Sequence, residues 1–180
     1  MAKMCGNGAD FALVKQERSR TIVGYELRRL EGSALSEWHE VYFPRKVVDL
    51  PSIEQVRKAV EDDINAQTDT KIISGFVWTP KAGGTPIPVW LSTENQFNFK
   101  SAYDLAVQKQ GATLPVTFKM GEDAEGNPVY HTFETMEDAE DFYLQAVAFV
   151  NQTLAEGWQR KDAIDWEPYT QAIDALKPKD

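Results

Sequence analysis

Between Ile87 and Asn98 the chain changes period, and no other stretch constrains the fold as strongly. Val89 and Leu91 alternate with Trp90, the spacing of a pleated strand. Thr93 and Gln96 follow at capping-box spacing, a side-chain oxygen for the free amides of a helix and an amide three residues on to answer it. A strand that runs straight into a helix calls for a domain in which sheet and helix share one core.

The same switch recurs along the chain. Residues 1–10 read as a loose leader, and Phe11-Ala12-Leu13-Val14 as a short strand. From Thr21 to Leu30, Val23, Tyr25 and Leu27 alternate with Glu26 and Arg28. After the turn Glu31-Gly32-Ser33, the stretch Glu37–Lys46 sets His39, Val41 and Phe43 against Trp38, Glu40 and Tyr42. The pair reads as an antiparallel hairpin whose second strand is apolar enough to be covered on both faces. Ser52 and Gln55 then have cap and partner spacing, and Ile53, Val56, Val60 and Ile64 form a narrow helical stripe.

A strand is expected over Lys71–Thr79, with Ile72, Phe76 and Trp78 on one side and Ile73 and Val77 on the other. Gly83-Gly84 between prolines is a turn. It lacks the Gly-Lys-Ser/Thr ending of a phosphate loop, and no cofactor is implied. A helix from Thr93 to about Gln110 carries Phe99, Ala102, Tyr103 and Ala106, and ends at Gly111. Leu114–Phe133 forms another hairpin around Gly121–Asn127. Thr135 caps the longest helix, whose first turns hold Glu137, Asp138, Glu140 and Asp141, where the helix dipole favours negative charge. Met136, Ala139, Tyr143, Val147, Val150, Leu154 and Trp158 form one stripe on it, and Phe142, Ala146 and Phe149 a second. Asp165 caps a final helix bearing Trp166, Tyr169, Ile173 and Leu176.

The order is hairpin, helix, hairpin, helix, hairpin, helix, helix. It predicts an α+β fold: antiparallel β-hairpins alternating with helices, with the long C-terminal helix packed on the sheet. We divide it into an N-terminal leader, hairpin and helix layer (1–68), an α+β domain (69–164) and a C-terminal helix and tail (165–180).

Composition narrows the function. The net charge of −9 repels phosphate backbones and anionic lipid, so neither nucleic acid nor membrane is the expected partner. The one basic cluster, Arg28-Arg29 with Arg45-Lys46, reads as the charged edge of two solvated strands. No apolar run approaches the roughly 20 residues a bilayer helix needs, and the first residues have no secretory core. Synthesis and folding in a cytoplasm is the expectation. The single cysteine, Cys5, excludes internal disulfides and multi-cysteine zinc sites, and reads as a free thiol.

Few residues offer chemistry. Glu37 and His39 share one strand face and Glu40 takes the other, so they form a site only if the fold adds ligands. His131 sits between apolar Val129 and Phe133, the setting of a satisfied, half-buried histidine. Asp123, Glu125, Asn127 and Glu134 mimic a calcium loop, but Pro128 replaces its glycine and strands flank it, so a polar hairpin tip is the better reading. Trp78 and Trp90 on paired strands offer a ligand platform, although large aromatics mostly serve cores and interfaces.

Several positions carry a family likeness: Asn65 at a helix end, Phe76-Val77-Trp78, Trp90-Leu91-Ser92 at a helix start, the hairpin Leu114–Phe133, the long helix Thr135–Trp158, and the charged element Lys161-Asp162-Ala163-Ile164. Over Ile64–Ile164 the chain resembles an uncharacterised domain family of phages and prophages, often found beside tail or tail-fibre genes. Asn95-Gln96 stands where that pattern has an arginine. The resemblance implies a small accessory or assembly domain, in an infected cell or in a virion, with no enzymatic activity or cofactor.

The leading expectation is therefore a non-enzymatic structural or interaction protein, tail-associated, that binds a protein partner or its own copy through Phe142, Phe149, Trp158, Trp166 and Tyr169. The alternative is a small hydrolase using Glu37, His39 and His131, or a carbohydrate-binding protein using Trp78 and Trp90.

Overall fold

The computed structural model describes residues 2–44, 50–81 and 83–178. Arg45 and Lys46, half of the basic cluster, lie outside the described residues, as do Ala82 of the Gly-Gly connection and the terminal Lys179-Asp180. The fold is α+β, with every strand pair antiparallel. The chain divides into two compact units, residues 1–66 with 159–180 and residues 67–158. The tail helix is thus grouped with the N-terminal unit, a grouping that linear sequence does not display.

The first unit is built on a four-stranded sheet. Strands β1 (Ala2–Asn7), β2 (Val14–Gln16), β3 (Arg20–Arg29) and β4 (Leu35–Pro44) lie in the order β1-β4-β3-β2. The expected β3–β4 hairpin is there, with Val23 opposite Val41 and Tyr25 opposite His39. The leader is not loose: Ala2–Asn7 pairs with β4 along its whole length, from Ala2 opposite Glu40 to Asn7 opposite Leu35. Its signal is weak because a chain edge bonded mainly through its backbone needs no apolar alternation. Below it, Phe11 meets Trp38 edge-on at 6.1 Å, so the second face of β4 is covered as expected.

Helix α1 (Ile53–Ser74) opens with the predicted capping box: Ser52 N donates to Gln55 Oε1 at 2.8 Å, and Gln55 N to Ser52 Oγ at 3.3 Å. Val56, Val60 and Ile64 are wholly buried against Val23, Tyr25 and Val41. Tyr169 and Ile173 of the last helix, α4 (Glu167–Ala175), complete this core. At the start of α4, Asp165 accepts from Glu167 N at 3.0 Å, while Trp166 holds the cap position itself.

Two corrections concern the next segment. The helix does not stop near Asn65, and the strand does not begin at Lys71: α1 runs through to Ser74, and β5 is only Phe76–Trp78. Ile72 and Ile73 read equally well in either period, so the boundary falls to Gly75. Its φ of 77° ends the helix, and any Cβ there would lie 1.7 Å from the Val89 carbonyl oxygen.

The second unit packs two hairpins against two helices. Strand β5 pairs with β6 (Ile87–Val89), and β7 (Val116–Glu122) with β8 (Pro128–Phe133). Trp90 N donates to Met120 O at 2.7 Å, joining the end of β6 to β7. Helix α2 (Thr93–Gln108) is capped one residue earlier than expected: Ser92 Oγ accepts from Asn95 N at 3.2 Å, and Gln96 reaches back to Leu91 O at 2.7 Å. Ser-Thr in tandem offers two caps, and the one whose following residues also satisfy the strand carbonyls is used. Helix α3 (Met136–Asp162) starts as predicted, with Asp138 N donating to Thr135 Oγ1. It buries Ala139, Phe142 and Ala146 against Trp78, Phe99, Met120 and Phe133. The rings interlock at 4.9–5.7 Å between centroids, with Phe142 edge to face on both Trp78 and Phe99, the arrangement aromatic quadrupoles prefer, and Phe133 tilted against Trp78 and Phe142.

Candidate functional site

The residues singled out for chemistry are divided between the two units. Glu37 is held by Lys3 at 2.7 Å and Arg28 at 3.6 Å, and the Lys3 hydrogen bond keeps its carboxyl below the usual range. His39 belongs to the first unit and stacks on Tyr25, with centroids 5.4 Å apart. Burial lowers its pKa, and the nearby Glu26 carboxylate opposes that shift. His131 belongs to the second unit, where Nε2 lies 2.9 Å from Asp138 and the ring meets Trp78 edge-on. Trp78 and Trp90 form no shared platform. Trp78 is completely buried and its Nε1 donates to Asp141, whereas Trp90 lies one residue past β6, 39 % exposed under the Lys119 ammonium. Pairing β5 with β6 sets Trp78 opposite Ile87, which leaves no cross-strand place for Trp90.

The hairpin loop that mimics a calcium site spends its first carboxylate on itself. Asp123 Oδ1 accepts from Glu125 N and Asn127 N, and the Asn127 backbone bond leads in lowering the Asp123 pKa. Among the described residues, no group of three or more His, Cys, Asp or Glu side chains could hold a metal ion. Asp141 lines a concavity of about 1040 Å³, beside Lys81 and the first turns of α3. Burial works to raise its pKa, but hydrogen bonds from Gln145, Lys81 N and Trp78 Nε1 outweigh burial and hold it low. That carboxylate supports the β5–β6 connection. Arg28 and Arg29 of the basic cluster are likewise engaged, the first with Glu37 and the second with Ser33 O.

An ionic cluster that sequence reasoning missed lies in the first unit. Between Tyr25 and Arg28 strand β3 carries a bulge, and Glu26 adopts φ 55°. The extra residue reverses the alternation: Leu27, expected inside, is 46 % exposed, and Arg28 comes to the side of Glu37. Glu26 turns to a bidentate pair with Arg160, at 2.7 and 2.8 Å, and lies 3.9 Å from His39 Nε2. Beside it Tyr25 donates to Asp63, and Tyr169 donates to Gly24 O at 3.2 Å. Burial pushes the Tyr169 hydroxyl up to about 12. Among the described residues, no buried side-chain nitrogen or oxygen lacks a partner, so this cluster is a closed tether between β3, α1 and the end of α3. Its only sequence signal was Glu26 itself, an acid beside the otherwise apolar face of an alternating strand.

The proposed contact residues divide. Phe142 and Tyr169 are core residues, 2 % and 5 % exposed, and supply no surface. A helix buries the side chains nearest its sheet, and Phe142 lies in the ring cluster, Tyr169 under β3. Phe149 stacks on Phe76 at 5.2 Å and is half-buried, as is Trp166, which lies under the Arg57 guanidinium. Trp158 is 57 % exposed. It ends a line on α3 of Leu144, Val147, Asn151, Leu154 and Trp158, which spans an arc of about 80° at helical spacing. That arc is opposite Phe142, Ala146, Thr153 and Gly157, the buried side. Leu144 is 58 % exposed and Val147 and Asn151 also face solvent. From Phe142 to Ala155 the helix carries no charged residue, in a chain that is 26 % charged. The overlooked signal was this charge gap: a helix with one buried side ordinarily places charges on the other.

The fold and this surface define a two-unit α+β domain protein with an uncharged outward helix face. The chain belongs to the family described as a domain of unknown function (DUF4376), which matches residues 55–177. No curated protein and no solved structure matches the chain. Among the described residues, no helix is long and apolar enough to cross a membrane.

Proposed function

We propose that this chain is a non-enzymatic interaction protein of phage or prophage origin, an accessory or assembly factor associated with tail proteins. It acts in the host cytoplasm or as part of the virion. The observation that carries the reading is the outward side of α3, where Leu144 and Val147 lie exposed on a stretch free of charge and Trp158 lies exposed just beyond it. Soluble proteins seldom leave an apolar helix face open unless another body covers it. The likeness of residues 64–164 to domains that stand beside tail genes supports the setting, and the family's own description assigns no activity.

The test is co-expression with the tail proteins encoded beside the gene. Co-purification that is lost on Val147→Glu and kept on the control Gln152→Glu supports the reading. A hydrolytic activity of the purified chain that disappears on His39→Gln or His131→Gln, with co-purification indifferent to Val147→Glu, would replace it with the enzyme alternative.

A further inference from the structure

We draw no further inference here: the strongest candidate, the concavity beside the first turns of α3 lined by Glu134, Glu137, Glu140 and Leu144, is an acidic cluster at a helix start, and among the described residues no buried polar side-chain atom is left without a partner to show what would bind there.

Discussion

The two units solve the same problem with different chemistry. The core of residues 67–158 is a ring cluster of Trp78, Phe99, Phe133 and Phe142, with Met120 and small alanines filling the gaps. The core of residues 1–66 with 159–180 is aliphatic along Val23, Val56, Val60, Ile64 and Ile173; it encloses the polar pair Tyr25–Asp63 and is edged by the half-buried pair Glu26–Arg160 beside His39. Aromatic packing is forgiving of neighbours and costly to truncate. A polar inclusion adds less net stability but is specific, because each member must keep its partner. The first unit is therefore expected to depend on pH and on single polar atoms, and the second on side-chain volume.

That contrast breaks first at Phe142. Phe142→Ala removes a ring that touches Trp78, Phe99 and Phe133, and is expected to cost about 3–5 kcal/mol. Chemical denaturation read by near-ultraviolet circular dichroism would show it; a loss under 1 kcal/mol would mean that the rings do not interlock as described.

Next comes the alkaline limb. Burial raises Tyr169 from 10.0 to about 12 in the folded chain. The unfolded chain gives up this proton first, so the stabilising effect is whole below about pH 10 and is lost as pH rises toward 12. The loss is on the order of 2–3 kcal/mol, and Tyr169→Phe should flatten this limb of the denaturation curve. An unchanged limb would place the hydroxyl in water.

Arg160→Met keeps the aliphatic stem and deletes the guanidinium. It is expected to cost about 2 kcal/mol, since Glu26 is left half-buried without its bidentate partner. Restoring stability with Glu26→Gln in the same chain would confirm the pair, and no recovery would point to stem packing. Ser52→Ala removes one half of the capping box of α1 and should cost about 1 kcal/mol. Smallest is Trp158→Ala, within about 0.5 kcal/mol because the ring packs mostly against water. A large loss there would show the ring to be a core residue.

The units also differ in how far their sequences disclose them. In residues 67–158 the hairpins, the long helix and its Thr135 cap follow from apolar periodicity and turn residues, because burial acts directly on side-chain pattern. The start of β5 escaped notice because Ile72 and Ile73 suit either period until Gly75 breaks the helix. In the first unit the stripe Val56, Val60, Ile64 was plain, but β1 was not, since its pairing is a property of backbone amides. The Glu26–Arg160 pair joins residues 134 positions apart and depends on one inserted residue in β3, which no local pattern marks. The outward side of α3 was half legible: the breadth of its apolar face was plain, but Phe142 was placed on the wrong side of it. A periodicity shows which residues share a face, not which of two apolar faces meets the sheet.

The most direct test of the account is co-purification of the full chain with the tail proteins encoded beside its gene, with and without Val147→Glu. The account predicts a partner that this one exposed carboxylate displaces, with the thermal midpoint of the chain unmoved. Co-purification that is absent, or indifferent to the substitution, would contradict it.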